Sequence, residues 1–140
     1  MSDDTSRLID AARAVRGEFV LGAGWGEKWS AGSVGAALRT AAGNVYTGVC
    51  IDLASGLGFC AEVAAVAEML KHRETHIEAV VAVNHRGILP PCGRCRETMT
   101  QIDAANLDCR VLVGEDREVP LRDLLPDYWL TPRPGDAAAG

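Results

Sequence analysis

Two separate cysteine motifs constrain the fold of this chain more than any other feature. A Cys-Ala-Glu triplet occupies residues 60–62, and Cys92 and Cys95 form a Cys-x-x-Cys pair in the run Pro-Cys-Gly-Arg-Cys. Two cysteines at this spacing, where a loop enters a helix, can bind one tetrahedral metal ion. A third cysteine from a distant element can complete the protein ligands and leave the fourth position open for water. The chain must then bring Cys60 to the pair, which predicts a hydrolytic zinc site.

The glutamate of the triplet identifies the chemistry more closely. Glu62 lies two residues after Cys60, so it can serve a reacting water molecule without ligating the metal. A Cys or His, followed by a nearby Glu and a distant Pro-Cys-x-x-Cys, is the signature of zinc deaminases, in which the Glu is a general acid and base. The pattern predicts Cys60, Cys92 and Cys95 as ligands of one zinc ion per subunit and Glu62 as the catalytic residue.

The same motifs are compatible with two different kinds of site. A Cys-x-x-Cys pair also occurs in redox motifs and in structural zinc sites. A redox pair leaves the Cys-Ala-Glu triplet unexplained, and a closed structural site needs a fourth Cys or His. Of the spare cysteines, Cys109 opens an apolar run and is expected in the core, where free cysteine behaves as a small hydrophobe. Glu62 could also be a first-turn acidic residue favoured by a helix dipole.

Composition restricts the class of protein. A chain of 140 residues predicts one domain, which we assign to residues 1–130, with a Pro, Gly and Ala-rich tail at 131–140 that is expected to be loosely ordered. The net charge of −5 argues against a nucleic-acid partner, because nucleic-acid binders carry basic faces. A small-molecule substrate fits better.

The cellular setting is predicted from the same data. No apolar stretch approaches the roughly 18 residues of a membrane span, and the polar, acidic N-terminus does not resemble a secretory signal. The chain has five cysteines, an odd number, and three of them belong to the metal pattern. This argues against a disulfide framework and predicts a cytoplasmic protein.

Hydrophobic periodicity predicts an α/β architecture. Helices are expected from Asp3 or Asp4 to Val15, at residues 61–70 and at 92–102, with a short helical stretch at 123–125. Strands are expected at residues 33–39, 45–51, 77–83 and 109–113, the first two forming a hairpin, while 17–26 and 86–91 are expected to be loops. This order predicts an α/β sandwich with a mixed sheet.

Three thiolates around zinc carry a net charge of −1, which lowers the power of the metal to acidify water. Positively polarised groups near the site must compensate for this negative charge. The N-termini of the two helices would help, because they favour ionised sulfur. Arg94 and Arg96 are candidates to donate hydrogen bonds to ligand sulfur, as residues behind metal ligands often do. The alternative for both is an exposed helix face.

These motifs resemble the cytidine deaminase family, and most closely the branch that includes blasticidin-S deaminase. The similar stretches lie at residues 29–30, 34–38, 46–49, 60–62, 86–96 and 124–126. The resemblance implies a three-layer α/β/α sandwich with a five-stranded mixed sheet, zinc bound by the three cysteines, and hydrolytic release of ammonia. It also implies a homotetramer.

The resemblance further implies where the substrate binds. The Asn-x-Glu that binds ribose in the family aligns with Cys50-Ile-Asp52, so Cys50 and Asp52 are candidate substrate contacts. Ala61, beside the catalytic Glu, and Trp129, in the C-terminal segment, are candidates for the pocket wall. The alternatives are a solvated loop carboxylate for Asp52, a buried small hydrophobe for Cys50 and an aromatic anchored on the core for Trp129.

Departures from the family concern the substrate. Gly32 stands where the family usually has an aromatic residue that packs on the pyrimidine, and a lost stacking ring forfeits about 1–3 kcal/mol per base by analogy with single strands. Its absence is expected to leave room for a bulkier ligand. Val63 replaces an Arg that often follows Cys-Ala-Glu. Glu97 replaces a Gln and is expected to be solvated.

The sequence therefore predicts a zinc-dependent deaminase of a cytosine-type aminopyrimidine nucleoside. Cytidine, deoxycytidine and a related compound such as blasticidin S are the candidate substrates. One alternative is a non-catalytic, zinc-stabilised ligand-binding protein on the same scaffold. Deamination of a base within nucleic acid is disfavoured by the acidic charge.

Overall fold

The computed structural model describes residues 2–22, 24, 26, 28–55 and 58–130. Within these ranges the helices are α1 (Asp3–Val15), α2 (Ala61–Lys71) and α3 (Gly93–Ile102), with short 3-10 helices at Ala104–Asp108 and Leu121–Leu124. The strands are β1 (Phe19–Val20), β2 (Ser30–Thr40), β3 (Val45–Asp52), β4 (Ile77–Asn84), β5 (Gly87–Leu89), β6 (Arg110–Gly114) and β7 (Arg117–Pro120).

The described strands form one mixed sheet built around β2 and β4. β2 pairs antiparallel with β1, β3 and β4, and β4 also pairs antiparallel with β5. β4 and β6 are parallel, and β7 returns antiparallel to β6. The parallel pair needs a crossover, and α3 lies within the connection from β4 to β6.

Helices cover both faces of this sheet. α1 packs on one face through a cluster of Leu8, Ile9 and Ala12 with Ala37, Ala79, Val81, Val83 and Leu112. α2 and α3 pack on the other face through Ala65, Val66, Met69 and Met99 with Leu38, Val80 and Val111. Neighbouring strand residues alternate between the two clusters, as the pleat of a strand requires. The predicted three-layer α/β/α sandwich is confirmed.

The sheet has seven described strands instead of the predicted five. Periodicity does not reveal β1, β5 and β7, because runs of two to four residues are too short to alternate. β5 lies in the segment expected to be a loop, and β1 lies in the Gly-rich connection. Each of these strands adds to a longer neighbour, so tertiary pairing determines its conformation. The predictions for residues 131–140 lie outside the described residues, and the domain boundary at 130 stays a prediction.

A close contact between β3 and α2 sets the position of the helix that carries the site. A Cβ added to Gly48 would lie 2.5 Å from the Cβ of Ala64 and 2.5 Å from the backbone nitrogen of Ala65. Only glycine therefore permits this approach of helix to strand. Since α2 begins directly after Cys60, the contact also fixes the depth of Cys60 and Glu62 in the fold.

Cys109 is buried in the core as predicted, and burial raises the pKa of its thiol to about 12. Among the described residues, no helix has both the length and the hydropathy needed to cross a membrane.

Candidate metal centre and active site

The three cysteines of the two motifs meet at the N-termini of α2 and α3. Cys60 is the N-cap of α2, Cys92 is the N-cap of α3, and Cys95 lies in the first turn of α3. The Cys92 sulfur is 3.5 Å from that of Cys60 and 3.5 Å from that of Cys95, and all three sulfurs lie within 4.8 Å of one another. Tetrahedral zinc with bonds of about 2.3 Å places its sulfur ligands about 3.8 Å apart. The cluster therefore fits zinc.

The protein environment shifts the pKa values of the three thiols in different directions. Partial burial opposes ionisation of Cys92, but the Cys95 backbone N–H, hydrogen bonding with the Cys60 and Cys95 thiols and the Arg94 backbone N–H together outweigh burial and lower the pKa of Cys92. Burial raises the pKa of Cys60, and the neighbouring Cys92 adds to the effect. Burial also raises the pKa of Cys95, helped by the Glu62 carboxylate. A cation binding here would have to displace protons, so metal binding and thiol ionisation are coupled.

Glu62 lies where a proton carrier for this site is needed. It occupies the first turn of α2, its residue is only 6% exposed, and its carboxylate is a neighbour of the Cys95 thiol. It also lines a cavity of about 350 Å³ that includes Cys60 and Cys92. The carboxylate is therefore shared between the sulfur cluster and the space in which a small molecule can bind.

The cavity brings together most of the site residues predicted from the sequence. Its volume is at the small end of the range for ligand pockets. Its walls come from the first half of β2, from the ends of β3 and β5 and from the starts of α2 and α3. The lining residues are Ser33, Val34, Cys50, Ile51, Asp52, Gly58, Phe59, Cys60, Ala61, Glu62, Leu89, Pro90, Cys92 and Arg94. Trp129, Arg96 and the buried Cys95 are not among them.

A polar trio in this cavity includes one residue that the sequence analysis missed. The Ser33 hydroxyl lies 3.2 Å from the Cys50 sulfur and donates to Asp52 at 3.4 Å, and the Cys50 thiol is 3.7 Å from the same carboxylate oxygen. The Cys50 sulfur also accepts the Val34 N–H at 3.3 Å. Cys50 is thus both buried and part of the cavity wall. A bulge in β2 between Ala31 and Gly35 shifts the strand register next to Ser33, and no pattern in the sequence marks it.

Gly32 does not enlarge the cavity, so the expected room for a bulkier ligand is wrong. Its φ is +84°, a conformation that favours glycine. A Cβ at this position would lie 2.2 Å from the Gly17 carbonyl oxygen, with the Phe19 ring 3.6 Å away. The side-chain direction at Gly32 is occupied by the segment after α1 and does not face the sulfur cluster.

The two arginines hold backbone carbonyls. Arg94 donates to the Gly58 carbonyl at 2.9 Å, and both residues line the cavity. Arg96 donates to the carbonyls of Pro91 at 2.9 Å and Leu124 at 3.2 Å. Within the described part of the chain, neither makes a hydrogen bond to a ligand sulfur. Backbone N–H groups in the first turn of α3 and the neighbouring thiols, and not an arginine side chain, favour the Cys92 thiolate.

The C-terminal segment is fixed to α3 by a residue expected to be solvated. Glu97 accepts the backbone N–H of Trp129 at 2.8 Å, so it is a structural contact. The Trp129 residue itself is 69% exposed and lies outside the cavity lining. Its role in the pocket wall stays a prediction.

The fold and the site together define a zinc-dependent hydrolase, and comparison with known proteins identifies the family. Residues 18–110 match the family model for the cytidine and deoxycytidylate deaminase zinc-binding region. The chain is 37% identical over 129 residues to the cytidine deaminase of Halalkalibacterium halodurans, covering 88% of this chain and 92% of that protein. It is 29% identical over 106 residues to the blasticidin-S deaminase of Bacillus cereus, covering 66% of this chain and 74% of that protein.

A solved structure gives the same result. The crystal structure of the cytidine deaminase from Burkholderia pseudomallei superimposes with a TM-score of 0.67 at 30% identity, covering 92% of this chain and all of that one. The chain belongs to the cytidine and deoxycytidylate deaminase family, and it is an enzyme that hydrolyses C–N bonds with zinc as its cofactor.

Proposed function

We propose that this protein deaminates a cytosine-type aminopyrimidine nucleoside to the uracil-type product and ammonia. The observation that carries the proposal is the position of Glu62, buried beside the cysteine cluster and also on the wall of the cavity. A protein that bound zinc only for stability would have no use for a buried carboxylate at that point. The family match and the cytidine deaminase relative support the same reaction.

The three cysteines would hold the metal in this reaction. Zinc in such a site would act as a Lewis acid and make water nucleophilic near neutral pH. The fourth side of the cluster faces the cavity, since Cys60 and Cys92 line it while Cys95 closes the site from the core. The ring carbon that bears the amine would bind at this open side.

Glu62 would move the protons. As water adds to the amine-bearing carbon, Glu62 accepts a proton from it and passes protons to the ring nitrogen and to the departing amine, which leaves as ammonia. Because Glu62 is nearly inaccessible to solvent, bulk water does not compete for these transfers. General acid–base catalysis of this kind contributes about 10²–10⁴-fold to a rate.

The polar trio would orient the rest of the nucleoside. Asp52 can accept from sugar hydroxyls, and the Ser33 hydroxyl can donate or accept. Cys50 supplies a weakly polar thiol where an amide would make stronger hydrogen bonds. Ala61 lies on the cavity wall between Cys60 and Glu62, where its methyl group would limit the space available to the substrate ring.

Cytidine and deoxycytidine are the first candidate substrates. The H. halodurans relative is a cytidine deaminase, and it matches this chain with higher identity and coverage than the B. cereus blasticidin-S deaminase does. Blasticidin S is the second candidate. It is favoured by the relative from B. cereus and by Cys50 in the trio, which weakens the case for ordinary ribose recognition.

Ammonia release from cytidine, deoxycytidine and blasticidin S tests the proposal. We expect turnover of a natural pyrimidine nucleoside with kcat/KM of about 10⁴ M⁻¹s⁻¹ or more, the level at which metabolic enzymes begin. Efficient turnover of blasticidin S alone would assign the antibiotic as substrate within the same reaction. Failure of the zinc-loaded protein to release ammonia from all three would contradict the proposed function.

We further propose a cytoplasmic homotetramer. The support for assembly is the family resemblance and three large apolar residues that are each more than half exposed in the single chain, Phe19, Val20 and Leu130. Assembly would cover such surface.

A further inference from the structure

Arg96 joins the loop that carries Cys92 to the C-terminal part of the chain. Its Nε donates to the Pro91 carbonyl at 2.9 Å, and its Nη1 donates to the Leu124 carbonyl at 3.2 Å. Pro91 immediately precedes Cys92, and Leu124 ends the last 3-10 helix. One half-buried guanidinium therefore fixes the backbone on the N-terminal side of a metal ligand.

The loop before Cys92 has few hydrogen bonds of its own with which to hold its backbone. Residues 90 and 91 are both proline, so neither has a backbone N–H with which to hold the loop. Cys92 is also the most exposed of the three ligand cysteines, whereas Cys60 is half-buried and Cys95 is buried. Packing around the Cys92 side chain itself thus contributes least to the position of its sulfur. The Pro91 carbonyl, on a buried residue, is a group through which a side chain can help to fix that position.

We infer that Arg96 is a positioning residue of the zinc site, acting through the Pro91 carbonyl and without touching a sulfur. The inference rests on the zinc site of the proposed function. Arginine suits the task because its planar fork presents donors in a fixed geometry, so that one side chain holds two carbonyls at once. Lysine offers a flexible point charge and cannot reproduce both contacts.

The same contact links the metal loop to the C-terminal segment. Glu97, the next residue of α3, accepts the Trp129 N–H, so two adjacent side chains directly after Cys95 fasten residues 121–130 to the helix. Loss of Arg96 should loosen Cys92 through the Pro91 contact, which weakens metal binding without removing a ligand. It should also free the Leu124 carbonyl and loosen the C-terminal segment.

Competition for zinc against a chelator tests this role with a readout that is independent of catalysis. We expect Arg96→Met and Arg96→Lys to bind zinc about 10–100-fold more weakly than the wild type, the usual effect of removing a group that orients a metal ligand. Arg122→Met is the matched control. Arg122 lies within the same C-terminal segment, but its side chain pairs with Asp108 at the surface at 2.6 Å, so the zinc affinity of Arg122→Met should equal that of the wild type.

Thermal unfolding of the metal-free proteins separates positioning from general stability. Metal-free Arg96→Met should unfold close to metal-free wild type, while the zinc-loaded variant should lose part of the stabilisation that zinc gives. Wild-type zinc affinity in Arg96→Met would overturn the inference, as would equal weakening in Arg122→Met. If Arg96→Met fails to fold, Arg96→Lys decides by the same zinc measurement. Wild-type protein that binds zinc but releases no ammonia would contradict the proposed function and leave this inference standing.

Discussion

Replacing Glu62 with glutamine is expected to lower the rate of ammonia release by about 10²–10⁴-fold while zinc remains bound. Glutamine has nearly the same shape but cannot accept and return a proton at neutral pH. The residue is buried beside the sulfur cluster, so no solvent-borne base has access to take its place. The measurement is kcat with the best substrate, together with zinc content per chain by elemental analysis.

Glu68→Gln on the same helix is the control. Glu68 accepts the Thr47 N–H at 3.1 Å and is not among the residues that line the cavity, so the Glu68→Gln variant should release ammonia at a rate close to that of the wild type. Unchanged function in Glu62→Gln would contradict a catalytic Glu62. That outcome would favour the alternative, a zinc-stabilised binding protein that has kept the scaffold.

Replacing Cys95 with serine is expected to remove both zinc and activity. Cys95 is the buried member of the cluster, and a serine hydroxyl is a poor zinc ligand compared with a thiolate. Because the energy of metal binding contributes to folding, the unfolding temperature should fall as well. Elemental analysis and thermal unfolding of the variant, purified without added metal, measure both effects.

Cys109→Ser provides the comparison for this experiment. Cys109 is also a buried free cysteine, but it lies in the core cluster with Met99 and Leu121 and is not part of the three-cysteine cluster. It should keep one zinc ion per chain, even if the core change costs stability. A full zinc complement in Cys95→Ser would show that the ligand set is wrong.

The chemistry of the site could be predicted from the sequence because it depends on local spacing. Cys92 and Cys95 are three positions apart at a helix start, and the same helix turn that brings their sulfurs together also supplies the N–H groups that favour a thiolate. Cys60 and Glu62 are related in the same local way. The core strands β2, β3, β4 and β6 are long enough for their apolar pattern to predict them.

Features that depend on contacts between distant segments could not be predicted. The bulge in β2 turns Ser33 toward Cys50 and Asp52, and the same irregular stretch points the Gly32 position at Gly17. Matching residue types along the sequence places Gly32 in the pocket, because such a match contains no information about the direction of the backbone.

The arginines and Glu97 illustrate the same limit. Spacing showed that Arg96 lies near the metal ligands, but its partners come from Pro91 and from Leu124 in the C-terminal segment. The sequence alone predicts an exposed helix residue at Glu97, and only the structure shows that Glu97 accepts the Trp129 N–H. Both roles depend on where the C-terminal segment docks, and periodicity does not specify this.

X-ray absorption at the zinc edge of the purified, active protein tests the metal centre most directly. The spectrum should show three sulfur neighbours at about 2.3 Å and one lighter oxygen or nitrogen neighbour at about 2.0–2.2 Å. Four sulfur neighbours would identify a closed structural site. The absence of sulfur around the metal, or full activity in protein that contains no metal, would contradict the assignment altogether.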